Sequence, residues 1–355
     1  MRRSVRIGAL TAFAIGLFAA APLPGGAMAA EKPASEDALD LLPITPEQHR
    51  RLVRGDVVSY AVTEHSEREL AVALAIFVPV PAPQLAQYLV SGQLIADDVT
   101  ISDFGIVPEP AAADAWSGAR FTESERGEAE SLLDASPGSR FNLSPAEIQA
   151  LRALRDSSDR LRGSTAVELG SEAYRRLLRQ RLQAYQQGGL AAIPPYARSG
   201  GVLTDPTAEL RLAVADTERL ARTGSMISDV LLRYPAAQPP QVVHRFYWIK
   251  RRVQRRPDLS LLHQIVAPGP DPVVHVERYF YVGHSYNAAQ IVTGAFAYES
   301  GSVVFATSRF STDEILGVAS QMKRAVGRGQ LRDEMRKRLE RLRTLLILPQ
   351  PVQSP

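Results

Sequence analysis

The 355-residue chain contains no cysteine. That excludes disulfides, thiolate metal sites and cysteine nucleophiles, as well as the acylated cysteine of a bacterial lipoprotein. Spanning apolar runs are missing too. Ile7 to Ala21 is a 15-residue apolar stretch, short of the roughly 20 residues a membrane helix needs. Glycine-rich phosphate loops, His-Glu-x-x-His and Ser-His-Asp signatures are absent. Net charge is small, +3, and Arg2, Arg3 and Arg6 account for it. Beyond residue 30 acids and bases balance, so bulk electrostatics supplies no reason to expect nucleic acid as a partner.

What is present begins with a leader. Arg2, Arg3 and Arg6, the run from Ile7, and Ala27-Met28-Ala29 are the three parts of a secretory signal. The expectation is cleavage near Ala29 or Ala30 and a soluble mature chain, periplasmic or secreted. Charge is segregated along that chain. Residues 31–140 carry 8 basic and 19 acidic side chains, and residues 241–355 carry 17 and 9. Such ends are expected to pack together with complementary surfaces.

Thr45-Pro46-Glu47-Gln48 is a capping box with proline at the first helical position, predicting a short helix to about Arg54. Val57–Thr63 and Leu70–Val80 read as strands, Pro83–Val90 as a helix, and Asp98–Val107 as a strand. From Ala111 to about Pro240 the texture is helical. Starts fall at Thr122 and Ser144, a long helix covers Ala166–Gln187, and another covers Pro206–Ala221. Five strands follow at Val242–Val253, Leu259–Val266, Pro272–Val282, Tyr286–Tyr298 and Gly301–Phe310. Turn chemistry joins them, including Arg256-Pro257-Asp258 and Pro268-Gly269-Pro270-Asp271. Short connections make this an antiparallel meander. Ser311-Thr312-Asp313-Glu314 then caps a long helix whose predicted apolar stripe is Ile315, Val318, Ala319, Met322 and Val326, continued by Leu331, Met335, Leu339 and Leu342.

The predicted layout is a signal peptide at 1–30, first strands and helix at 31–110, and a helical insertion at 111–240. A meander with the C-terminal helix follows at 241–345, then a disordered tail at 346–355. The fold class is α+β. Without its insertion, the order resembles the START-like, or helix-grip, architecture, in which a curved antiparallel sheet wraps its final helix over an apolar cavity.

The chain also resembles an uncharacterised family of exported bacterial proteins with a START-like (SRPBCC-type) domain. The likeness rests on Arg54-Gly55-Asp56-Val57-Val58, on Ser136-Pro137-Gly138 leading to Leu143-Ser144-Pro145-Ala146-Glu147, and on Ala184-Tyr185-Gln186-Gln187-Gly188-Gly189. It continues through Phe246-Tyr247-Trp248, Leu259-Ser260-Leu261-Leu262-His263, Tyr281-Val282-Gly283-His284, and Ser308-Arg309 to Lys323-Arg324. Many members carry two cysteines around the segment matching Ala135 to Phe141, and this chain has none. The resemblance implies export and the domain layout, and it brings no substrate or reaction.

The candidate ligand-binding residues are Trp248, His263, Arg278, Phe280, Tyr281, His284, Phe296 and Met322. Strand alternation groups Arg278 with Val274, Val276 and Phe280, so Arg278 is expected to point inward and meet a polar headgroup. Trp248, Phe280 and Phe296 would line the apolar part. Pairing with Glu299, Asp313 or another internal acid is the structural alternative for Arg278. Phe246 and Trp248 share one strand face and Tyr247 and Ile249 the other, with parity left open. His275 and Glu277 share a face, which together with His263 raises a metal site, although no spacing there guarantees convergence. Ser320-Gln321-Met322-Lys323 fits Ser-x-x-Lys but lacks its companion motifs.

The leading expectation is a binder of a hydrophobic small molecule or lipid. No catalytic residue, metal or cofactor is expected. Peripheral contact with a membrane surface through the basic C-terminal helix is a further expectation. The alternatives are an envelope interaction protein using the insertion as its partner surface, and an enzyme using the same cavity. Nothing in the sequence bears on oligomeric state.

Overall fold

The computed structural model describes residues 42–347, apart from 113, 159–164, 215–224 and 268–272. The expected leader, the turn at 268–271, the far end of the helix from Pro206, and the tail from 348 lie outside the described residues.

The N-terminal part contains α1 (Pro46–Val53), β1 (Val58–Tyr60), β2 (Glu69–Val78), α2 (Ala82–Ser91), α3 (Gln93–Ala96) and β3 (Ile101–Val107). The middle part contains α4 (Arg126–Leu133), α5 (Pro145–Ser158), α6 (Ala166–Gly188), the strands β4 (Tyr196–Ala197) and β5 (Leu203–Thr204), α7 (Pro206–Leu212) and α8 (Ser225–Arg233). The C-terminal part contains β6 (Val243–Val253), β7 (Arg256–Ala267), β8 (Val273–Tyr281), β9 (Ala288–Tyr298), β10 (Gly301–Ser311) and α9 (Ser320–Ile347).

Local chemistry sets many of these boundaries. Thr45 and Gln48 bond reciprocally at the start of α1, as do Thr165 and Glu168 at α6, satisfying amides that a helix start leaves free. Ser144 and Glu147 do the same at α5, at 3.3 and 2.7 Å. One turn differs from expectation. Gln254 (φ 50) and Arg255 (φ 69) reverse the chain between β6 and β7, and Val253 pairs with Arg256. Arg256-Pro257-Asp258 is therefore the beginning of β7. A two-residue hairpin with both residues left-handed matches the strand twist better than a wider turn. The hairpin β4–β5 and helix α8 carry no strong signal in the sequence.

Eight strands form one antiparallel sheet in the order β1-β2-β10-β9-β8-β7-β6-β3. The meander β6–β10 thus lies between the early strands, with β2 on β10 and β3 on β6. Helix α9 covers one face, packing Leu331, Met335, Leu339, Leu342 and Leu346 against residues such as Leu70, Leu74, Ile291 and Val304. The other face is covered as well. Tyr174, Leu178 and Tyr185 of α6 pack on Phe246, Trp248, Leu261 and Phe280. Ile227, Val230 and Leu231 of α8 pack on Val274, Val276 and Val292, and Leu52 of α1 joins Phe296 and Phe305. The result is a three-layer arrangement in which β8 is buried along its whole length. Strands covered on both sides lose the apolar/polar alternation of a one-sided sheet.

In the first half of the expected stripe on the last helix Ile315 is buried with the core as expected, but Val318, Ala319, Met322 and Val326 are not. Val318, Met322 and Val326 are 91%, 66% and 56% exposed. Helix α9 begins only at Ser320, after Gly317 (φ 76) and Ala319 (φ 60) break the chain direction. Met322 precedes Leu331 by nine positions, which at about 100° per residue places the two on opposite sides. Leu346 and Ile347, expected in the tail, belong to α9.

Candidate functional site

Between α9 and the sheet lies a cavity of about 480 Å³, within the roughly 300–1,000 Å³ usual for small-molecule sites. Ile291 of β9 and Ser308 and Phe310 of β10 line it from the sheet. Leu331, Met335 and Leu342 line it from α9, and Tyr88 and Leu94 from α2 and α3. Gly92, left-handed at φ 84, ends α2 and lets α3 follow at once. The segment after α3 then brings Asp97, Asp98, Val99 and Thr100 to the rim.

Polar groups concentrate at that rim. Tyr88 Oη donates to Asp97 at 2.8 Å, and Thr100 donates to Asp98 through its amide and its hydroxyl at 2.9 and 2.6 Å. Burial works against the Asp98 charge, but Arg338, Thr100 and Arg251 outweigh it and hold its pKa below the ordinary value. Arg251 of β6 lies over the Tyr279 ring at 4.9 Å and donates from Nη2 to Tyr279 Oη at 2.6 Å. Its Nε has no hydrogen-bond partner, nor has the buried Ser308 Oγ. Arg338 pairs with Glu277 of β8, whose side chain is 1% exposed. This ion pair ties α9 to the sheet beside the cavity. Glu277 is 3.8 Å from His275 Nδ1, and His275 Nε2 meets Gln264 Nε2 at 2.9 Å. Burial, more than the neighbouring charges, pushes His275 down to about 4.

None of the eight expected ligand-binding residues lines this cavity. Five meet instead in the layer under the helices of the middle part. Trp248 lies between Gly105 and Gly118, and its Nε1 donates to Ala115 O at 2.6 Å. His263 Nδ1 meets Tyr185 Oη at 3.0 Å and its Nε2 meets His244 Nδ1 at 2.9 Å. Phe280 stacks on Tyr185 at 4.0 Å. Tyr281 Oη donates to Tyr174 Oη at 3.2 Å under the Arg181 guanidinium. Arg278 donates to Gln290 Oε1 and to Leu231 O, so its inward direction is toward α8 and away from the α9 cavity. Asp313 is committed elsewhere, pairing with Arg68 and Arg198. Phe296 sits under α1. His284, in the loop after β8, takes Ser285 Oγ at 2.6 Å and Pro257 O at 3.2 Å. Met322 is exposed.

The same parity settles the aromatic pairs. Tyr247 and Ile249 face α9, and Phe246 and Trp248 face the insertion. His263 and His275 stand on opposite faces, and among the described residues no three His, Cys, Asp or Glu side chains converge for a metal ion. Lys323 Nζ donates to Leu316 O at 3.0 Å. No described helix is long and apolar enough to cross a membrane.

Sequence reasoning did mark Leu331, Met335 and Leu342 as one apolar stripe, and Lys337, Arg338 and Arg341 as basic. Arg251 had no signal, and Ser308 only its place in the family resemblance, because only the packed layers say which face of a strand borders the cavity. A second concavity, wider and about 850 Å³, runs along α6 beside Glu109, Pro110, Trp116, Arg179 and Gln186. Comparison with known protein families, curated proteins and solved structures gives no match.

Proposed function

We propose that this is an exported protein of START-like, helix-grip type that holds a hydrophobic small molecule or lipid between its sheet and C-terminal helix. The observation that carries the reading is the cavity itself. A sheet face and a helix stripe that could have closed on each other leave about 480 Å³ between them, at a place lined by Ile291, Phe310, Leu331 and Met335. An apolar chain laid against those residues would take their surface and its own out of water. Contact with an anionic membrane surface belongs to the same reading. Arg332, Arg336 and Lys337 are exposed on α9, as are Met322 and Val326, the combination that favours headgroup attraction with shallow apolar insertion.

The test is Leu331→Trp, which fills the cavity. Purified wild-type protein is expected to carry or take up single-chain lipids in native mass spectrometry and to melt higher with them. The tryptophan variant should fold and do neither. Absence of any lipid-dependent shift in the wild type would overturn the reading. The groove along α6 supports an interaction protein as the second reading. It predicts a partner whose binding is lost with Gln186→Arg and untouched by Leu331→Trp.

A further inference from the structure

We infer that the cavity under α9 selects a single-chain amphiphile with an anionic headgroup, and that Arg251 reads that headgroup. The inference rests on the cavity being a ligand site and adds the chemical class of its occupant.

Size comes first. At roughly 30 Å³ for each water-sized group, about 480 Å³ matches one chain of moderate length better than the two chains of a phospholipid. Polarity along the cavity gives the orientation. Ile291, Leu331, Met335 and Leu342 are buried, whereas Val99, Thr100, Lys337 and Arg341 are exposed at the rim. A tail therefore lies against the buried residues and the polar end stays at the rim.

Charge at the rim decides the sign. Its acids have partners: Asp97 takes Tyr88, and Asp98 takes Thr100 twice and feels the charges of Arg338 and Arg251, while Glu334 is exposed to water. Arg338 is taken up by Glu277. Arg251, Lys337 and Arg341 form no ion pair among the described residues. Arg251 is the distinctive one. It is half-buried, it is held over Tyr279 by a ring contact and one hydrogen bond, and its Nε donor lacks an acceptor. Arg251 borders the cavity, and a carboxylate or phosphate oxygen at the rim would take a charge-assisted bond from its guanidinium. This headgroup role, expected for Arg278, thus passes to a residue on the opposite face of the sheet.

The experiment measures binding of dodecanoate, dodecyl phosphate and dodecanol to the purified protein by displacement of a neutral polarity-sensitive dye, with melting temperature as a check on folding. Both anions are expected to bind at least about tenfold tighter than the alcohol, the scale of one charge-assisted hydrogen bond, and their relative strength separates carboxylate from phosphate. Arg251→Met should abolish that preference while dodecanol binding stays unchanged. Arg251→Lys, which keeps the charge and loses the guanidinium fork, should retain part of it. Equal binding of alcohol and anions, or an undiminished preference in Arg251→Met, overturns the inference and leaves the cavity reading intact. Failure of all three ligands to bind defeats the cavity reading itself. Should Arg251→Met not fold, Arg251→Lys and Arg341→Gln decide the matter, since full anion preference in both would exclude a headgroup site at this rim.

Discussion

Arg278 of β8 and Gln290 of β9 stand opposite each other in the sheet, and the guanidinium donates to Gln290 Oε1 from Nε at 3.2 Å and from Nη2 at 3.0 Å. The carboxamide passes the contact on, because Gln290 Nε2 donates to Ala213 O at 3.0 Å. Arg278 Nη1 reaches Leu231 O of α8 at 2.6 Å. One fully buried side chain thus links two strands to the helical layer through neutral acceptors, and among the described residues no carboxylate pairs with it.

Arg278→Met is therefore expected to be a stability variant. It leaves Gln290 Oε1 and Leu231 O without their donor, at a cost of about 1–3 kcal/mol, read as a lower urea midpoint. Affinity for amphiphiles should not change. A variant of full stability that no longer bound ligand would place the ligand on the insertion side of the sheet.

Acid should destabilise the fold well before carboxylates protonate. Burial, reinforced by the charges of His244 and Arg278, drives His263 well below its ordinary pKa, and burial lowers His244, His275 and His284 too. Between the folded values and about 6.5 the unfolded chain binds more protons, so stability falls as pH drops through that window. For His275 the window extends from 6.5 to about 4, which corresponds to roughly 3 kcal/mol. Glu209 and Glu334, whose carboxyls are raised by burial, work the other way, but they are two carboxyls against four imidazoles. Urea midpoints measured from pH 7.5 to 4.5 check this. A midpoint that held steady below pH 6.5 would mean that water reaches these rings.

Trp248 reports on the fit between β3 and the insertion. A Cβ at Gly105 would come within 2.3 Å of the indole Nε1, and one at Gly118 within 2.6 Å of its Cη2. Gly105→Ala is expected to cost about 1–3 kcal/mol through overpacking and to shift tryptophan emission to the red by displacing the ring from Ala115 O. Unchanged emission and midpoint would show that the indole is free to move aside.

Sequence alone determined the elements whose causes are local. Reciprocal capping at Thr45, Ser144 and Thr165, and glycine or proline at turns, act over a few residues and are written in them. The α+β class and the antiparallel meander follow, because short connections permit little else. The stripe Leu331, Met335 and Leu342 was legible for the same reason, since a helix repeats every few positions. Tertiary structure decided which layer each strand face meets. Period-two alternation groups Arg278 with Val276 and Phe280 but carries no information on what covers them, and β8 is buried on both sides because α9 and the helices of the middle part both cover it. That is why Arg278 had a signal and lies away from the α9 cavity, while Arg251 lines it and had none. The rotation of α9 is decided at the same level. Met322 and Val326 are apolar, yet the contact of Leu331 with the sheet turns them to water. Local energetics selects what forms, and burial across distant segments selects which way it faces.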